Sequence, residues 1–388
     1  MVKKASILLL CCIAGLIVSL LTRCRRSYDP PAISAANNYL VVDGFINTGA
    51  NAVTTFKLNT SVSLNDTTTT GKPVFDATVN IVASNGQTWP LVDTGNNGSY
   101  SSAPLNLDIT QQYSLSISTQ NGQRYSSDPV PCKQTPAIDS VWWRQPGNLD
   151  IDVTTHDPTG NTRYYRYDYV ETWQHDAQLQ SVWVLKGDSI QFGDSTNQKY
   201  ECWITASSTG VLLATSAGLT QDLISGYTVN TIPAGDPRPV NGYSILVHQY
   251  ALTEGAYNYW QLIQKTTDNV GTLFDVQPTQ LIGNIHCTTN PAQPVIGYIS
   301  ACSVRQQRIF ILAYRDLQNW QNNQPGYICG IDSIPQNTPN PLIWNYPDTL
   351  WAPWYFVSNG PLVIASRVCL DCTFEGGTNI KPSFWPWP

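Results

Sequence analysis

Strict alternation of apolar and polar residues is the feature that most limits what this chain can fold into. In Ala77-Thr78-Val79-Asn80-Ile81-Val82-Ala83 the odd positions are apolar, and in Tyr113-Ser114-Leu115-Ser116-Ile117-Ser118 they are apolar again, with serines between them. Period two sends successive side chains to opposite faces, the pattern of a strand with one buried face. Strands are predicted over 39–46, 53–58, 77–83, 88–92, 113–118 and 123–127. Asn85-Gly86 and Asn121-Gly122 stand between strand-like runs, where Asn-Gly takes the positive φ of tight hairpins. Such short, closely spaced strands predict an immunoglobulin-like β-sandwich over 38–132.

Asp128-Pro129-Val130-Pro131-Cys132 ends that unit, because prolines remove ladder donors. Alternation resumes in Leu149-Asp150-Ile151-Asp152-Val153 and in Tyr165-Arg166-Tyr167-Asp168-Tyr169. Further strands are predicted over 182–185, 200–206, 243–248, 295–303 and 307–314. Ala256, Tyr259, Trp260 and Ile263 recur at helical spacing and predict one helix near 252–267. The expected fold is mainly β: an N-terminal sandwich, then a larger β-rich region over 133–388 with one main α-helix.

The N-terminus reads as an export signal. Lys3 and Lys4 precede an uncharged apolar stretch, residues 5–21. Leu21-Thr22-Arg23-Cys24 is similar to the bacterial lipobox, in which the Cys is acylated and becomes the new N-terminus, although Arg23 stands where a small residue is usual. The reading takes residues 1–23 as signal peptide, Cys24 as the lipidation site and 24–37 as a tether, with an uncleaved anchor as the alternative. Loss of Lys3, Lys4 and Arg23 with the leader leaves 18 basic against 27 acidic residues, a formal charge near −9. That balance argues against nucleic acid as a partner, which requires a basic face. Few charges (12%) with 13 Trp and 20 Tyr fit an exported β protein.

Chemistry-bearing motifs are sparse. Seven cysteines follow the tether: Cys132, Cys202, Cys287, Cys302, Cys329, Cys369 and Cys372. In an oxidising compartment they predict up to three disulfides, with Cys302, Cys329, Cys369 and Cys372 the main candidates. Cys369-x-x-Cys372 is half of a zinc site without a second half, so no metal is expected. His156, His175, His248 and His286 are dispersed, and neither a G-x-S-x-G elbow nor a phosphate loop occurs. No catalytic residue and no cofactor is therefore assigned. Trp351, Trp354, Tyr355, Trp385 and Trp387 form a candidate aromatic binding surface, with burial in a core as the alternative.

Three blocks carry a family resemblance. The run Tyr39-Leu-Val-Val-Asp-Gly-Phe-Ile, the run Asp76-Ala-Thr-Val-Asn-Ile with Gly98-Ser-Tyr downstream, and the block from Cys369 to Trp385 resemble exported lipoproteins of Bacteroidota catalogued as domain of unknown function family 4249. The resemblance implies a lipid-anchored outer-membrane protein, often encoded near TonB-dependent receptors, and no catalytic residues. The expected function is a non-enzymatic envelope lipoprotein that binds a partner or ligand, as accessory to a TonB-dependent outer-membrane transporter. The alternatives are a surface hydrolase acting on glycan or peptide, which two converging carboxylates or a carboxylate beside His248 would favour, and a structural spacer.

Overall fold

The structure is a computed structural model that describes residues 39–62, 71–186, 189–193, 199–268, 283–322, 326, 328–335, 350–358 and 360–387. The leader, Cys24, the tether and the threonine run at 67–70 lie outside the described residues. Within them the chain is mainly β with one long helix, as the alternation predicts.

The first core is assembled by register. Strands Thr78–Ala83 and Gln112–Ser118 pair antiparallel with Val79 opposite Ile117 and Ile81 opposite Leu115. Directly opposed residues share a face, so the two apolar rows are buried together, and a slip of one residue would expose both. Gly86 (φ 86°) and Gly122 (φ 84°) make the expected turns. Phe56, Leu58, Tyr100 and Tyr113 fill the space between the strands.

This core also draws on residues far downstream. Ile285–Cys287 pairs with Arg124–Ser127, and Ala301–Cys302 lies parallel between Ile46–Asn47 and Val130–Lys133. Ile285, Cys287, Val295, Ile299 and Ala301 are buried in the same cluster as Leu40 and Val42.

A second core lies between two sheets. Ile138–Arg144, Leu149–His156 and Leu223–Ile232 form one; Glu201–Ser207, Tyr164–Asp176, Tyr243–Leu252 and Val304–Ile311 form the spine of the other. Leu149, Ile151 and Val153 from the first meet Tyr165, Tyr167, Ile245 and Val247 from the second. Tyrosines on the inward positions of the Tyr164–Asp176 strand are therefore core residues. The helix Glu254–Asp268 is capped by Thr253, whose hydroxyl accepts from the Ala256 N–H, and buries Ala256 against Leu213 and Leu252. No helix among the described residues is long and apolar enough to cross a membrane.

The last part of the chain adds a three-stranded sheet, Ile331–Ile334, Leu362–Ser366 and Trp351–Phe356, over a small core of Ile334, Leu362 and Ile364. Residues 376–387 then return to the second core. Phe384 lies 3.7 Å from the Arg308 guanidinium, Trp385 meets Trp203 edge-on, and Trp387 meets Phe310. Gly242, at φ 116°, leaves room for both tryptophans: a Cβ there would fall within 3 Å of either ring.

Candidate functional site

A polar cleft of about 810 Å³ opens at the end of the Tyr164–Asp176 strand. Its floor follows from strand alternation. Glu171 and Trp173 continue the inward row of tyrosines, while Gln174, His175 and Asp176 run out to the rim. The opposite wall comes from the C-terminal part of the chain. His175 is paired in register with Cys202, and Cys202 is disulfide-bonded to Cys372. That bond seats the short 3-10 turn Cys372–Glu375, which Asp371 caps by accepting from the Thr373 N–H. Glu375 then reaches His175 at 2.8 Å. Gly377 passes so close to the neighbouring strand that a Cβ there would lie 2.9 Å from that of Cys202.

A second bond, Cys329–Cys369, holds the same wall, and the Gln178 side-chain oxygen lies 2.9 Å from the Cys329 sulfur. The third side is the loop 236–241. There Arg238 is clamped: its Nε and Nη2 donate to Asp236, and its Nη1 donates to both oxygens of Glu171 at 2.8 and 2.9 Å. Glu171 also accepts from Tyr243 Oη at 2.7 Å and Asn230 Nδ2 at 3.2 Å. Burial opposes the Arg238 charge, but hydrogen bonding to Asp236 and the field of Glu171 and Asp236 raise its pKa overall.

Asp176 is different in kind. Its oxygens accept from the amides of Gln174 and Asn241, both at 3.0 Å, and it forms no salt bridge with any described residue. Burial raises its pKa, against the lowering effects of the Gln174 hydrogen bond and of His175. A raised carboxyl means that the folded state holds its proton more tightly than the unfolded state. The stabilising contribution is therefore full below the unfolded pKa, ordinarily near 3.8, and is lost as pH rises through the folded value. Asp176→Asn is expected to abolish that loss. Urea titrations across pH should show the variant gaining on the wild type as pH rises above ~4; parallel profiles would contradict it.

Cys24 lies outside the described residues; the cysteines, aromatics and histidines singled out beyond the tether have definite places. Cys329 and Cys369 pair with each other and Cys372 pairs with Cys202, so neither thiol of the C-x-x-C is free for zinc. The expectation for Cys302 is corrected: it is a free, buried thiol. It sits on a short strand of the first sheet, opposite Lys133, whereas the disulfides brace the C-terminal wall. Burial pushes its thiol up to about 12 and that of Cys132 to about 11. Among the described residues no group of three or more His, Cys, Asp or Glu is placed to hold a metal ion.

The five aromatic candidates do not form one surface. Trp385 is only 5% exposed and Trp387 is half-buried against Phe310 and Trp385, the buried alternative for these two. Trp351 packs on the small C-terminal core. Trp354 is half-buried against Tyr355, and of the five only Tyr355 is exposed. All four histidines face carboxylates: His156 with Asp139, His175 with Glu375, His248 with Asp168 and His286 with Asp128, at 2.7 to 3.0 Å.

Sequence reasoning missed the Glu171–Arg238 pair. A usable signal was present, since Glu171 occupies an inward position of an aromatic strand and a carboxylate there requires a buried partner.

Fold and cleft together define a mainly β protein whose polar cleft is walled by a disulfide-braced C-terminal segment. Residues 25–308 match the family described as "Domain of unknown function (DUF4249)", and the chain belongs to that family. The match takes in the strand and loop sides of the cleft and ends before Glu375. A DUF4785 family protein from Legionella pneumophila, known from a crystal structure, is similar at 11% identity with a TM-score of 0.20. The similarity spans 54% of this chain and about half (52%) of that one. No curated protein matches the sequence.

Proposed function

We propose that this chain is a lipid-anchored cell-envelope protein of Bacteroidota, attached through Cys24 to the outer membrane, which binds a ligand or partner without transforming it. The observation that carries this reading is the state of the charged groups in the cleft. Arg238 is committed to Asp236 and Glu171, His175 to Glu375, and Asp176 to two amides. Groups tied to one another in this way make a fixed hydrogen-bonding surface, whereas general acid–base or nucleophilic chemistry requires a group aimed at a reacting atom. The family resemblance adds the role of accessory to a TonB-dependent receptor.

The test is co-purification of the full-length protein from native membranes, with intact mass to identify the N-terminus. Lipid on Cys24 and recovery of a TonB-dependent receptor are expected. A chain that retains Lys3 and Lys4, or one that emerges alone under conditions preserving other envelope complexes, would overturn the corresponding half of the proposal.

One pair of observations favours the hydrolase reading as a second choice. Asp168 Oδ1 lies 2.7 Å from His248 Nδ1, and the half-buried carboxyl of Asp176 stands next to His175. Product release from glycan or peptide substrates, lost in His248→Ala or Asp176→Asn, would establish it.

A further inference from the structure

We propose that the cleft between Gln174, Asp176, Asn241 and Glu375 takes a neutral, polyhydroxylated ligand, an oligosaccharide chain. This inference rests on the reading of the cleft as a ligand site and adds the chemical class of the ligand.

The rim has hydrogen-bond capacity to spare. Each carboxylate oxygen of Asp176 accepts one amide N–H, from Gln174 or from Asn241, and each has a lone pair to spare. Glu375 uses one oxygen on His175 and keeps the other. Each of the two amides spends one N–H on Asp176 and keeps its second N–H and its carbonyl oxygen, one donor and one acceptor apiece. The rim is thus rich in acceptors held in place by neighbouring side chains. Hydroxyl groups suit it because each can donate to an acceptor and still accept from a remaining N–H.

Charge narrows the class. Asp176, Asp236 and Glu375 line the cleft, and the guanidinium of Arg238 is spent on Asp236 and Glu171, so an anionic ligand meets repulsion without a free cation among the described lining residues to receive it. A cationic ligand finds Asp236 and Glu375 already paired and the Trp173 ring already faced by Arg238 at 5.9 Å. The lone pairs left on Asp176 and the second oxygen of Glu375 are what it has to meet. A neutral chain disturbs none of these pairs and involves no burial of a new charge. The volume of about 810 Å³ lies within the range of roughly 300–1,000 Å³ typical of small-molecule sites, enough for several sugar rings. Two disulfides brace the far wall, so little ordering is required when the ligand arrives.

The experiment is isothermal titration of the full-length protein in detergent with neutral gluco-, galacto-, manno- and N-acetylhexosamine oligosaccharides, beside hexalysine and oligogalacturonate. At least one neutral chain is expected to bind at one site per protein. Its affinity should barely change at about 1 M salt, where charge interactions are screened within about 3 Å. Asn241→Ala and Asp176→Asn should each weaken it about tenfold, the effect of one lost ligand hydrogen bond, with melting curves showing that both variants remain folded.

If hexalysine alone binds, and salt abolishes that binding, the ligand class is wrong while the binding reading survives. If no neutral chain binds, the inference is overturned whatever co-purification shows. Appearance of new reducing ends during the titration would keep the glycan and overturn the non-enzymatic reading.

Discussion

Arg238→Ala is expected to cost about 3–5 kcal/mol of stability, because it strands the Glu171 carboxylate in a buried site with only Tyr243 and Asn230 for company. Glu171 is 7% exposed, and its two oxygens share one guanidinium nitrogen, so no rearrangement on the surface can replace that partner. The size of the loss reflects the uncompensated charge more than the strength of the pair. A double variant, Arg238→Met with Glu171→Leu, should therefore recover most of what the single change loses. Denaturant midpoints for the two singles and the double decide the matter. Additive losses would mean that the pair acts through packing and not through charge.

Cys202→Ser combined with Cys372→Ser should be the other large effect, about 4 kcal/mol. The bond closes a separation of 170 residues, and cross-links over loops of that order restrict the unfolded chain most. A local consequence accompanies it. Glu375 meets His175 only because the bond seats the turn before it, so the far wall of the cleft should loosen. Limited digestion with a glutamate-specific protease should then cut after Glu375 in the variant and spare it in the wild type. Equal protection in both would show that the Trp385 contacts alone hold the segment.

The strands were legible because alternation is a local property. Val79, Ile81, Leu115 and Ile117 announce their faces within a few residues, and the helix announces itself through Ala256 and Tyr259. The site was less legible because its parts lie far apart in the chain. Nothing near His175 points to Glu375, two hundred positions away, and the link between them is the Cys202–Cys372 bond, whose connectivity spacing does not encode. Trp385 shows the same limit. A terminal tryptophan reads as exposed until Gly242 and Trp203 are known to receive it. Arg238 in its proline-flanked loop gives no periodic signal, so its partner Glu171 was visible only as a charge on an inward position.

The parallel pairing of Ile46–Asn47 with Ala301–Cys302 bears on how the molecule is born. Synthesis runs from the N-terminus, so a strand made at the start waits for a partner that emerges some 250 residues later. Until then that strand's edge has no partner strand among the described residues, and closure of so long a loop is slow. The first sheet is therefore completed late, although most of its strands are among the first to be made.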